Sequence, residues 1–221
     1  LPWIMRYLQT TEYKAKAITL VTKFTKAKCV FVTATLTKAI QDDIVKTFSL
    51  PSTSTFSADP DRPEIFIAWR NNVVHNYDEL DFVADHIYQK GYDSKKIIIY
   101  TVKIDEACDV YSHLSRKLLE YNVPLVDQNG IGLIEMYHAG TEADDREQIR
   151  QEFDKVNSHL KVLCCTIKFG LGVDPPAVPL VILFGIPPRI TALWQETGRT
   201  CRDETYSQGL CVIFVTNQSV R

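Results

Sequence analysis

A surplus of charge of one sign is the plainest lack in this 221-residue chain, where 25 Lys and Arg face 27 Asp and Glu for a formal net charge of −2. That balance excludes an acidic tail, a basic arm and a disordered polyelectrolyte, so any nucleic-acid contact has to be local. No Gly-Lys-Ser/Thr occurs anywhere, which excludes a phosphate-binding P-loop within the chain. The cysteines, at 29, 108, 164, 165, 201 and 211, form no CxxC pair and have no histidine at ligand spacing. A zinc knuckle or disulfide framework is therefore not expected, and reduced thiols in an intracellular compartment are. No apolar run reaches the ~20 residues that span a bilayer, and the opening LPWIMRYLQTTEYK lacks the basic-then-apolar order of a signal peptide. A soluble protein with no membrane partner is the expectation. The start also lacks an initiator Met, which points to a fragment or an incomplete reading frame.

What is present is a core-forming chain, 45% hydrophobic, of a length that suits one large domain or two small ones. From about residue 96, apolar runs alternate with helical patterns: KIIIY, a helix, GLIEMYH, a helix, KVLCCT, PLVILF, a helix and GLCVIFV. Strands apolar on both faces, separated by helices, predict an α/β fold with a parallel sheet covered on its two sides. Over 103–121 the set Ile104, Ala107, Cys108, Tyr111, Leu114 and Leu118 keeps the spacing of a core-facing helical stripe. Over 142–155, acids suit a helix start and Ile149 and Phe153 supply the buried side, with the remainder solvated. Earlier, KCVFVTATL reads as a strand entering a helix, TKAIQDDIVKTFSL, that stops at Pro51. The Pro-, Ser-, Thr- and Asp-rich stretch 51–64 reads as a linker with a domain boundary near Arg62. Residues 1–28 give no usable pattern.

Two segments carry chemistry. QETGRTCRD, Gln195 to Asp203, sets Arg199 and Arg202 at i, i+3, a spacing that places both on one face of a helical turn and aims two planar, permanently charged forks at one anion. The plain alternative is a surface turn whose arginines pair with Glu196, Asp203 or Glu204. CTIKFGLGVDPPAV places Gly170 and Gly172 directly after a buried strand, where open α/β sheets bind ligands, followed by Asp174. It is neither a dinucleotide fingerprint nor a P-loop, and its plain alternative is a strand-to-loop turn.

Taken in order over residues 29–216, these segments resemble the RecQ family of superfamily 2 helicases. VTATLTKAIQDDIVKTFSL is similar to that family's Thr-Ala-Thr motif at the end of the first motor lobe, with Thr33 and Thr35 as its threonines. DRPEI resembles the signature that opens the second lobe, with Glu64 where the family has Asn. IIIYTVKIDEACDVYSHL, MYHAG, TIKFGLGVDPP and QETGRTCRD resemble the following motifs in sequence order. The resemblance implies a RecA-like parallel sheet flanked by helices, a helicase C-terminal lobe over 66–221. A partial first RecA-like lobe over 1–57 and a linker over 58–65 precede it. ATP with Mg2+ would be bound mainly by the rest of the motor, and single-stranded or forked DNA would cross both lobes. It implies Arg202 as the arginine finger, Arg199 as a second phosphate or coupling contact, and Gln195 as a polar link to the nucleotide. Asp174, Gly172 and Gly170 would lie near the nucleotide. Thr166, His138, Gly140 and Thr101, with Thr33 and Thr35, would meet DNA phosphates.

The sequence also departs from that family. Its usual Arg-Ala-Gly-Arg-Asp-Gly is here Arg199 to Glu204 with Cys201 and Glu204 in place of glycines. Pro175 stands for a Lys, Leu183 for a His, and neither a P-loop nor an Asp-Glu-Ala-His metal motif is present. The expectation is a nuclear, ATP-dependent 3′–5′ DNA helicase represented by a fragment inactive on its own. The alternative is a non-catalytic nucleic-acid-binding or adaptor relic. A sugar-nucleotide transferase lobe would use the glycine loop but gives the paired arginines no role.

Overall fold

A computed structural model describes residues 3–6, 29–32, 36–50, 52–57, 61–73, 77–128, 130–166, 175–202 and 205–216. The chain divides into two compact units, Leu1–Asp61 and Arg62–Arg221. In the first, β1 (Trp3–Arg6) pairs in parallel with β2 (Cys29–Val32), and α1 (Lys38–Thr47) is capped by Thr37, whose side chain accepts the Ile40 N–H.

The second unit is a six-stranded sheet in the order β3-β8-β7-β4-β6-β5, every pair parallel. Its strands are β3 (Ile65–Val73), β4 (Ile97–Thr101), β5 (Ile134–Tyr137), β6 (Val162–Thr166), β7 (Leu180–Phe184) and β8 (Gly209–Thr216). Parallel neighbours need crossovers, and the chain makes them through α2 (Asp81–Lys90), α3 (Ile104–Glu120), α4 (Ala143–Phe153) and α5 (Ile190–Thr197). Side chains alternate along a strand, so each buried strand feeds two cores. Ile97, Ile99, Val162, Cys164, Ile182 and Phe184 pack under α2 and α3 with Leu80, Val83, Ile87, Val110, Leu114 and Leu118. Ile98, Tyr100, Leu163, Cys165, Leu183 and Ile213 pack with Phe153 of α4 and Leu193 of α5. This two-sided burial is why β4 and β6 read as unbroken apolar runs.

The structure corrects the helical stripes in detail. On α3 the buried line is Ala107, Val110, Leu114 and Leu118, whereas Ile104, in the first turn, is 39% exposed. On α4, Glu152 is buried rather than solvated. It accepts from the Ser158 hydroxyl and the His159 N–H and pairs with Lys155 at 2.5 Å, which holds its carboxyl below the ordinary range despite burial. β3 and α2 are elements that the apolar pattern did not announce.

A buried lysine closes the far end of α4. Lys96, 3% exposed, donates to the Phe153 and Lys155 carbonyls at 2.6 Å each and to Pro176 O at 3.3 Å, with Nζ 5.1 Å above the Phe153 ring. A cation at a helix C-terminus satisfies carbonyls that the helix cannot. Lys96→Met keeps the aliphatic stem and removes all three bonds. Chemical denaturation is expected to show a loss of about 3 kcal/mol; a loss under 0.5 kcal/mol would mean that these carbonyls find other donors.

Candidate functional site

Because every strand runs the same way, residues that follow strands gather at the carboxyl edge and residues that precede them at the amino edge. Thr101 and Thr166 are register partners at the ends of β4 and β6, with Phe184 of β7 on the other side of Thr101. His138 follows β5 on the same edge, with Gly140 two residues on. The sheet thus brings Thr101, Thr166, His138 and Gly140 to one edge. Thr101 and Thr166 are 2% and 8% exposed, and the Thr101 hydroxyl donates to Lys103 O at 2.9 Å. The Gly140 amide donates to His138 Nδ1 at 3.0 Å, and Thr141 Oγ1 accepts the His138 amide. A histidine whose Nδ1 accepts carries its proton on Nε2, so the donor this corner can offer to a phosphate is the His138 Nε2–H. Thr33, Thr35, Gly170, Gly172 and Asp174 lie outside the described residues.

The arginines lie at the opposite, amino edge. Cys201 N–H donates to Val178 O, just ahead of β7, and the first residue of β8, Gly209, abuts Thr200 and Cys201. A Cβ on Gly209 would come 2.6 Å from Cys201 Sγ and closer still to Thr200 Cγ2. That close approach is what requires glycine there. Arg62, ahead of β3, closes the third side: its Nη2 donates to Thr200 O at 3.1 Å and Cys201 O at 2.9 Å, while its Nε pairs with Glu64. Arg62 has no role in the motif reading, and DRPEI was its one signal. The salt bridge shows what Glu64 does in place of Asn: it orients Arg62, and its carboxyl is held below the usual range by that arginine.

The i, i+3 spacing predicts that Arg199 and Arg202 share a face, and here the structure differs. Cys201 adopts φ 50, the left-handed region, so the chain leaves its helical path between the two arginines. Arg199 is 6% exposed, whereas Arg202 is exposed with Nε bonded to Gly198 O at 2.7 Å. The family pattern has glycine where Cys201 stands, and a non-glycine residue in this conformation costs on the order of 1 kcal/mol. Gln195 lies on the outer side of α5. Glu196 lies on the inner side, 4% exposed, and desolvation pushes its carboxyl up to about 8. Arg199, Thr200 and Cys201 of the turn are thus buried, and the Arg202 side chain is exposed.

An exposed planar fork fixed through Nε suits phosphate oxygens. Metal ligands are a different matter. The His and carboxylate cluster among the described residues, Asp78, Asp81 and His113, lies at the start of α2 and on α3, which pack on the core opposite to that of α5. Its Asp81 is already bound to His113 at 2.7 Å and Lys117 at 2.9 Å. Ligands for a magnesium ion are thus not found beside the arginine turn among the described residues.

The model of the family described as "Helicase conserved C-terminal domain" matches residues 78–204. The chain is 28% identical over 209 residues to "ATP-dependent DNA helicase Q-like 2" of Arabidopsis thaliana, covering 95% of this chain and 27% of that protein. It is 31% identical over 182 residues to "ATP-dependent DNA helicase RecQ" of Pasteurella multocida, covering 82% and 25%. It thus spans about a quarter of the length of these relatives. Among solved structures, S. cerevisiae Dbp5 bound to RNA and ADP BeF3 superposes with a TM-score of 0.71 at 16% identity, over 99% of this chain and 54% of that one, a likeness of fold. No described helix is long and apolar enough to cross a membrane. The match over more than half of the chain and its RecQ-type relatives place the protein in the helicase conserved C-terminal domain family, as a RecQ-type superfamily 2 C-terminal lobe.

Proposed function

We infer that this lobe works in an ATP-dependent 3′–5′ DNA helicase, a nuclear one, to which it contributes the arginines of the nucleotide cleft and part of a single-strand DNA track. The observation that carries this reading is Arg202: exposed and tethered through Nε to Gly198, on a turn held by Arg62, Val178 and Gly209. In it, Arg202 is the finger, Arg199 supports it from within, and Gln195 faces the nucleotide from α5. Asp174, Gly172 and Gly170 are the further nucleotide contacts in this reading. ATP with Mg2+ is held mainly by a first lobe that bears the phosphate loop, of which residues 1–57 are the tail, joined through 58–65 to 66–221. When bound, the metal would neutralise charge on the transferring phosphoryl group. Thr166, His138, Gly140 and Thr101, at the carboxyl edge of the sheet, are the contacts of this lobe with single-stranded or forked DNA, and Thr33 and Thr35 are those of the first-lobe segment. Contacts of this kind use side chains and amides and need no basic field.

The chain alone should bind single-stranded DNA weakly and show no DNA-stimulated ATPase. Fluorescence titration with a labelled oligonucleotide, paired with a phosphate-release assay, checks both. His138→Ala and Thr166→Ala should each weaken DNA binding about tenfold, the loss of one or two phosphate hydrogen bonds. Turnover above background that Arg202→Ala abolishes would overturn the division of labour between the lobes. A second reading, a nucleic-acid-binding adaptor descended from a helicase, is favoured by Cys201 in the left-handed conformation, where the family pattern has glycine.

A further inference from the structure

The arginine turn contains one residue whose backbone the rest of the chain has to hold. Cys201 sits at φ 50, in the left-handed region that is costly for a residue with a side chain and persists only where the surroundings fix it. The peptide between Thr200 and Cys201 is fixed at both ends. Its N–H donates to Val178 O at 3.0 Å, and its carbonyl, Thr200 O, accepts from Arg62 Nη2 at 3.1 Å. The peptide between Cys201 and Arg202 is held by the same nitrogen, since Cys201 O accepts from Arg62 Nη2 at 2.9 Å. A guanidinium Nη2 carries two N–H groups, one for each carbonyl, and the Arg62 Nε–H is taken by Glu64. Arg62 is in turn anchored to the sheet. The Ile65 N–H donates to Arg62 O at 3.0 Å, and the Gly209 N–H of β8 donates to Glu64 O at 2.9 Å.

We propose that Arg62 is the positioning residue of Arg202: by holding the carbonyls on both sides of Cys201 it keeps that residue left-handed, and so fixes the direction in which Arg202 leaves the turn. Glu64 sets the plane of the Arg62 guanidinium. Peptide groups are planar, so pinning the two that flank one Cα fixes its φ and ψ, and Arg202 is built on the second of them. Release of the Arg62 bonds lets Cys201 return to the backbone regions that residues with a side chain prefer. Arg202 then turns, and its Nε parts from Gly198 O, to which it is bonded at 2.7 Å. A glycine at 201 adopts the left-handed region without being held, so the dependence on Arg62 belongs to the cysteine. The proposal rests on the motor reading only for its consequence in catalysis, which is a lowered kcat at little changed KM for ATP when Arg62 is removed; the hold on the turn belongs to the lobe.

The test uses the full chain and requires no turnover. Solvent exchange of the Arg202 Nε–H, identified by its loss in Arg202→Lys, is followed by NMR at one pH in the parent, Arg62→Ala, Cys201→Gly and the double variant. Arg62→Ala should speed this exchange about tenfold, since two charge-assisted hydrogen bonds to the turn are lost, while the backbone amides of β4 keep their rates within about twofold. Cys201→Gly alone should change little. In its background, removal of Arg62 should speed exchange only about twofold, because the two residues act through one backbone conformation and their effects are not additive. An equal effect of Arg62→Ala in the two backgrounds would overturn the proposal, as would unchanged Arg202 exchange in a folded Arg62→Ala or a parallel rise of exchange throughout β4. Should Arg62→Ala not fold, Arg62→Lys, which keeps the charge but not the planar fork, takes its place in the same cycle with the same expected direction. Because no nucleotide is present, failure here leaves the motor reading standing, and failure of the motor assay leaves this result standing.

Discussion

Arg202→Ala, placed in a motor completed by a phosphate-loop first lobe fused ahead of residue 29, is expected to lower kcat by a factor on the order of 10³ while nucleotide and single-strand binding change far less. The reason is where the charge is. Negative charge on the transferring phosphoryl group and leaving oxygen is best stabilised by a group already in place, so an arginine held by its own turn acts on the transition state more than on bound ATP. Arg202 is so held, through Gly198 O. Arg202→Lys should not restore turnover, because a flexible ammonium supplies neither the plane nor the two parallel donors of a guanidinium. Steady-state ATPase with and without single-stranded DNA, beside a nucleotide titration, separates kcat from binding. A kcat near the parent value would mean that Cys201 and Glu204, standing where the family pattern has glycine, have already disarmed the finger, and the adaptor reading would become the stronger.

The second large effect is on stability and follows from Glu196. An unfolded chain exposes this carboxyl to water, where it titrates near 4.5; in the fold, desolvation raises it to about 8. A group whose pKa is raised on folding adds stability that is complete below the unfolded value and is lost as pH climbs through the folded one. The lobe is therefore expected to lose stability between about pH 5 and pH 8.5 relative to Glu196→Gln, which cannot ionise. Relaxation and water entry around the ionised carboxylate reduce the full linkage value, leaving a difference of about 2–4 kcal/mol at pH 9. Urea denaturation of parent and variant at pH 5, 7 and 9 reads it directly. Parallel pH profiles for the two proteins would show that the carboxyl is solvated and that the inner face of α5 is not closed over it.

How far the sequence discloses the structure depends on where each residue gets its environment. β4, β6 and β7 are legible because burial on both faces leaves continuous apolar runs, and the helical patterns that separate most of the strands point to a parallel order. β3 is not: it pairs with β8 along one edge alone, and IFIAWRNNV leaves Phe66 and Trp69 at 70% and 56% exposed among Arg70 and two asparagines. α2 escapes notice because its buried stripe is only Val83, Ala84 and Ile87 amid acids and a histidine. The carboxyl-edge residues are legible through register, since strand ends gather once the sheet is parallel. Arg62 is not legible, because its partners are backbone carbonyls 138 and 139 residues away. The burial of Arg199 and Glu196 is hidden for a similar reason: spacing gives a shared face, whereas the left-handed Cys201 decides which arginine turns outward.

If this lobe completes a helicase motor, joining it to a phosphate-loop lobe restores turnover. The direct measurement is DNA-stimulated ATP hydrolysis by the fused two-lobe protein, compared with the phosphate-loop lobe alone at equal concentration. The fused protein is expected to turn over ATP at a rate that single-stranded DNA raises at least about tenfold and that Arg202→Ala returns to the level of the single lobe. Turnover equal to that of the single lobe, in a fused protein shown to be folded and to bind both ATP and DNA, would contradict it.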